Sequence, residues 1–119
     1  MTTRATRMLL KETILTELQL LPELLRKAES RYYAARSELE EKRCRLADAK
    51  TAWTGGRAAA YQDETARYAA LRAFTHPIRS ELRAARAESD RLRAEVDYLR
   101  RRHENYRLMA GLMADCGRE

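Results

Sequence analysis

Apolar residues recur at alternating steps of three and four along most of the chain. In the first half, Ile14, Leu18, Leu21, Leu25, Ala28, Tyr32, Ala35, Leu39, Leu46, Ala49 and Trp53 hold one heptad frame, with Lys42 the polar intruder. In the second half, Tyr61, Tyr68, Leu71, Ile78, Leu82, Ala85, Leu92, Val96, Leu99, Tyr106, Ala110 and Met113 do the same. Glu64, Thr75, Ser89 and His103 are the polar exceptions there. A strict seven-residue repeat of this length predicts a coiled-coil seam. Thr54-Gly55-Gly56 separates the two runs, and paired glycines permit the positive φ that stops a helix. The pattern predicts one all-α domain over residues 1–119, a long antiparallel two-helix coiled-coil hairpin. Arm one covers about 8–53, the turn 54–56 and arm two about 57–114. Trp53 closes the seam at the turn in this reading; in a second reading it is an exposed contact.

Each arm carries a proline, Pro22 and Pro77. Proline inside a helix removes a hydrogen bond and crowds the preceding turn. The apolar phase survives across both, so kinks are expected rather than corners. For Pro77 the alternative is a new helix capped by Thr75. Residues Met1 to Arg7 are polar and expected to fray, and Gly111 and Gly117 mark a fraying end. Between Met8 and Leu25 the leucines exceed one narrow seam. Either a wider intramolecular face or a homodimer interface using Leu10, Leu15 and Leu24 accounts for the excess. A single hairpin buries one face of each helix, so self-association into a helical bundle is expected.

Reversal at the double glycine places residues opposite each other when their numbers add to roughly 111–115. With the apolar residues at a and d, Arg72, Arg79, Arg86, Arg93, Arg100 and Arg107 form the e column of arm two. The facing e column holds Pro22, Glu29, Arg36, Arg43 and Lys50. Arg36 then neighbours Arg79, Arg43 neighbours Arg72, and Glu29 is offered to Arg86. The g margin is mixed: Glu81, Glu88 and Glu95 meet Glu17, Arg31, Glu38 and Arg45.

Charge sharpens this asymmetry. The net charge is +6 and the isoelectric point about 9.7, with basic residues mostly arginine. A genome rich in Arg codons explains an arginine bias but not its spacing. Arginines two turns apart lie about 10.5 Å from each other along a helix. Such a ladder, from Arg36, Arg43, Arg72, Arg79, Arg86, Arg93, Arg100 and Arg107, can follow a phosphate backbone without reading bases. It can equally meet acids on a protein partner or another copy of the chain, or remain a solvated face. No aromatic interleaving supports base stacking.

Catalytic chemistry finds little footing. His76 and His103 are the two histidines, and neither has a carboxylate at a metal-ligand spacing. No Gly-rich phosphate loop, GxSxG or nucleophile–base pair is present. The chain is therefore expected to be no enzyme, with no cofactor, no metal and no small-molecule substrate. Cys44 and Cys116 form no CxxC, which suits a reducing cytoplasm. Lys11, Glu12 and Glu17 interrupt the apolar residues after Met8, so no secretory signal is read there. No run approaches the length of a bilayer span, and no membrane partner is expected.

The Pro22-Glu23-Leu24-Leu25 start, the Ala/Glu/Arg-rich arm, the Gly turn and the run Tyr98-Leu99-Arg100-Arg101-Arg102-His103 resemble small helical-hairpin proteins of phages and prophages. The resemblance implies an accessory role beside DNA replication or recombination and carries over no functional residue. Two hypotheses stand together. One is a structural or adaptor coiled coil acting through helix–helix contacts as a homo-oligomer. The other is a sequence-independent nucleic-acid-binding accessory factor using the arginine ladder.

Overall fold

The computed structural model describes residues 3–116. Two long helices, α1 (Arg4–Gly56) and α2 (Glu64–Cys116), account for nearly all of them, with a 3₁₀ turn at Ala58–Ala60 between. The all-α expectation holds, and the two helices pair antiparallel. The chain divides into two compact units. A terminal unit joins α1 up to Tyr32 with α2 from Leu92. A loop unit, Tyr33–Arg91, contains the connection.

The seam follows the heptad frame closely. In the terminal unit, Ile14, Leu21, Ala28, Leu92, Val96 and Leu99 are buried. Leu21, Ala28, Val96 and Leu99 form one cluster, flanked by Leu25, Tyr32 and Tyr106. In the loop unit, Leu39, Trp53, Thr75 and Ser89 are buried. Ala35, Lys42, Leu46, Ala49, Leu71, Ile78, Leu82 and Ala85 are half-buried beside them. Thr75 suits its buried place because its hydroxyl donates to the Leu71 carbonyl at 2.9 Å. Tyr61, Glu64 and Tyr68 are in frame but exposed, so the α2 seam begins at Leu71.

The turn is not where the glycines are. α1 continues through Gly55 and Gly56, neither of which has a positive φ, and Arg57 N–H still donates to the Trp53 carbonyl at 2.8 Å. The reversal lies at 57–63. Tyr61 becomes extended after the 3₁₀ turn. Asp63 then caps α2, its carboxylate accepting from the Thr65 N–H at 3.1 Å. Arg67 donates to the Tyr61 carbonyl at 2.8 Å and ties the loop down. Trp53, 4% exposed, stacks on Tyr61 with ring centroids 5.9 Å apart. Extending α1 keeps that indole over the seam, which offsets the modest helix penalty of two glycines. Trp53 therefore closes the seam and is no exposed contact.

The later turn moves the register. Arg45 meets Glu81 at 3.5 Å in the loop unit. In the terminal unit Arg31 meets Glu95 at 3.5 Å, Arg100 meets Glu29 at 3.3 Å and Arg102 meets Glu17 at 2.7 Å. The paired numbers add to 119–129. The expected 111–115 is corrected upward by one to two heptads. Pairing a with d survives such a step, so the core stays apolar while its partners change.

The helix ends also differ from expectation. α1 begins at Arg4, where Thr3 caps it by accepting from the Thr6 N–H at 3.2 Å. Gly111 lies inside α2, and Gly117 lies outside the described residues. Pro22 and Pro77 sit inside uninterrupted helices, so neither divides its arm, and Thr75 caps no new helix.

Candidate interaction surfaces

Helical geometry turns 100° per residue and sorts the exposed side chains into margins. In the terminal unit one margin is apolar. From α1 it carries Leu10, Leu20 and Leu24, which are 40%, 55% and 46% exposed. From α2 it carries Tyr98, Met109 and Leu112, which are 54%, 36% and 66% exposed. The Glu17–Arg102 ion pair crosses between the helices in the middle of this surface. Burial alone would lower the Arg102 pKa, but Glu17 above all, with Tyr98 and Tyr106, holds it above the ordinary value. The Arg102 guanidinium also lies over the Tyr106 ring, 5.9 Å from its centroid. Tyr98, Arg101, Arg102, Asn105, Tyr106 and Met109 line an open groove of about 620 Å³ here.

Of the three leucines expected at an interface, Leu10 and Leu24 share this margin. Leu15 projects from the opposite one, beside Met8, although it is equally exposed. Leu20, Tyr98, Met109 and Leu112 were missed because only their spacing relative to the g positions marks them, and that spacing acquires meaning once both helices are in register.

The arginine ladder divides between the units. In the terminal unit Arg100 takes Glu29, the acid expected to serve Arg86, and Arg107 reaches Glu104 at 3.8 Å. Arg93 is exposed and makes no ion pair among the described residues. In the loop unit Arg36, Arg72 and Arg86 are exposed and likewise unpaired among the described residues. Arg43 meets Glu40 on its own helix at 3.4 Å, an exposed pair of small energetic value. Arg79 behaves differently: its guanidinium donates to the Arg72 carbonyl, while its Nε is buried with no partner among the described residues. The expected pairings of Arg36 with Arg79 and of Arg43 with Arg72 belong to the earlier register. In the observed one, Lys50 shares a notch of about 160 Å³ with Arg72, Arg79, Thr75, Leu71 and Tyr68. The same-margin placement of the two e columns stands, with changed neighbours.

The other margin of the loop unit is mixed in charge. Arg45 pairs with Glu81 across the helices, and Lys42 with Glu38 along α1 at 3.4 Å. Cys44 is exposed and free. Among the described residues, no group of three or more His, Cys, Asp or Glu is placed to hold a metal, and no helix is long and apolar enough to cross a membrane.

No family model, curated protein or solved structure matches the chain. The resemblance to phage-encoded helical hairpins therefore rests on the sequence pattern alone.

Proposed function

We propose that this is a non-enzymatic helical assembly protein that acts through helix–helix contacts, the first of them with a second copy of itself. The observation that supports this reading most is the apolar margin of the terminal unit. Leu10, Leu20 and Leu24 lie on one helix, and Tyr98, Met109 and Leu112 on the other, all exposed on the same side. Contiguous exposed apolar side chains on two adjacent helices mark an interaction surface. Two such helix pairs brought face to face make a four-helix bundle, whose packing rules match the spacing of three and four seen here.

The Glu17–Arg102 pair suits a two-fold arrangement. A self-complementary contact places the same residues on both sides, so each copy offers one acid and one base near the axis. The tyrosine hydroxyls of Tyr98 and Tyr106 can remain at the wet rim while their rings are covered.

Size-exclusion chromatography with light scattering tests the reading. The wild-type chain at micromolar concentration is expected to run as a dimer or a larger even oligomer. Leu24→Glu combined with Met109→Glu is expected to shift it to the monomer while its helical circular dichroism persists. A wild-type monomer, or a variant that remains fully associated, would overturn the proposal.

A further inference from the structure

The loop unit offers a second surface, independent of the apolar margin. Arg36, Arg43 and Lys50 on α1 and Arg72, Arg79 and Arg86 on α2 occupy the two e columns. The two rows belong to one margin, because Lys50 lines the same notch as Arg72 and Arg79. Within each row the cations recur every seventh residue, about 10.5 Å apart along the helix. Helices in contact lie roughly 8–10 Å apart, so the rows run side by side at a comparable spacing. Among the described residues no cross-helix carboxylate of this unit pairs with them, although Arg43 meets Glu40 on its own helix and the Arg79 guanidinium donates to the Arg72 carbonyl. The cross-helix ion pair of this unit, Arg45 with Glu81, lies on the other margin.

We propose that this basic margin binds the phosphodiester backbone of nucleic acid without regard to sequence. Rows of like charge at fixed spacing repel one another and gain most from an extended polyanion. A phosphate backbone supplies charge at shorter intervals than the rows do, so an exposed guanidinium finds a phosphate without a fixed register. Its binding is driven by counterion release, which needs no apolar contact. The notch gives the row an anchor. Lys50, Arg72 and Arg79 line it together with Tyr68 and Thr75.

An acidic helix is the competing occupant, and the surface suits it less. A docked helix draws its stability from apolar knobs, while exposed ion pairs add little. In the loop unit the large exposed apolar side chains among the described residues are the aromatics Tyr33, Tyr61, Tyr68 and Phe74, with no exposed Leu, Ile or Met. The aliphatic surface that a helix needs is found in the terminal unit instead.

The test is fluorescence anisotropy with the full-length chain and two labelled 30-base-pair DNA duplexes of unrelated sequence, between 50 and 200 mM salt. Both duplexes are expected to bind equally. With about five phosphate contacts, log K is expected to fall against log salt with a slope of about −4 to −5. Arg36→Glu with Arg86→Glu is expected to weaken binding at least tenfold and to reduce the slope by about 2. Arg4→Glu with Arg7→Glu makes the same change of net charge away from the margin and is expected to stay within threefold of wild type. Polyglutamate at equal charge concentration is expected not to displace the DNA. The proposal is overturned by absence of binding at 50 mM salt, by equal losses in the two double variants, or by polyglutamate competing as well as unlabelled duplex. Light scattering on the Arg36/Arg86 variant reports assembly separately, since neither residue lies in the apolar margin.

Discussion

Gly55 and Gly56 show how a residue's capacity differs from its use. Both can adopt a left-handed conformation, and neither does. A Cβ added at either would meet nothing within 4 Å. Gly55→Ala and Gly56→Ala are therefore expected to stabilise the fold by about 0.5–1 kcal/mol each in urea denaturation. If the reversal required these glycines, the same changes would destabilise. Asp63 carries the stop signal instead, and Asp63→Ala is expected to cost about 1 kcal/mol through loss of the α2 cap. That signal was present in the sequence as an Asp just before Glu64-Thr65, but the double glycine masked it. Two carboxylates set a pH dependence. Hydrogen bonds from Arg26 to Glu23 and from Arg91 to Glu88 hold both below the ordinary value of 4.5. A lowered folded pKa means that the contribution is complete above about pH 4.5 and fades as pH falls through the lowered value. Thermal melts should show a small loss of stability on going from neutral pH to below pH 4, and a smaller one in Glu23→Gln with Glu88→Gln.

For each helix, the buried face was legible almost residue by residue. From Ile14 to Trp53 on α1 and from Leu71 to Met113 on α2, every position in the heptad frame is buried or half-buried. This includes the polar members Lys42, Thr75, Ser89 and His103. Periodicity reports which face is covered, and both long prolines-bearing helices obey it. It does not report which residue of the partner helix covers that face, because a shift of seven leaves every a opposite a d. The register therefore depended on the turn, and misplacing the turn moved Glu29 from Arg86 to Arg100. The core cluster makes a direct test of the pairing. Leu21 is fully buried against Ala28, Val96 and Leu99, so Leu21→Ala is expected to cost about 2–5 kcal/mol. Leu20→Ala, one position along and exposed, is expected to leave the stability of the isolated fold within about 0.5 kcal/mol.

At the scale of the whole molecule, covered and uncovered surface divides by chemistry. Exposed aliphatic side chains gather in the terminal unit, and arginines that make no ion pair among the described residues, Arg36, Arg72 and Arg86, lie on one margin of the loop unit. The net charge of +6 announced a basic protein, and the arginine spacing announced a margin. Which arginines lack partners was not legible, because Glu29, Glu40 and Glu104 are assigned only once register and rotamers are fixed. The leucine excess before Leu25 likewise announced a second surface, but its α2 half, Tyr98, Met109 and Leu112, emerged only from the pairing. Both proposed surfaces thus depend on antiparallel pairing, which in the loop unit sets Arg45 opposite Glu81. Short bis-maleimide cross-linking measures it directly, in a chain whose two native cysteines are replaced by serine. Arg45→Cys with Glu81→Cys is expected to cross-link rapidly within one chain, and Arg45→Cys with Arg67→Cys, the partner that a turn at 54–56 would supply, slowly or not at all. The reverse order of rates would contradict the register and with it the neighbours assigned across the seam.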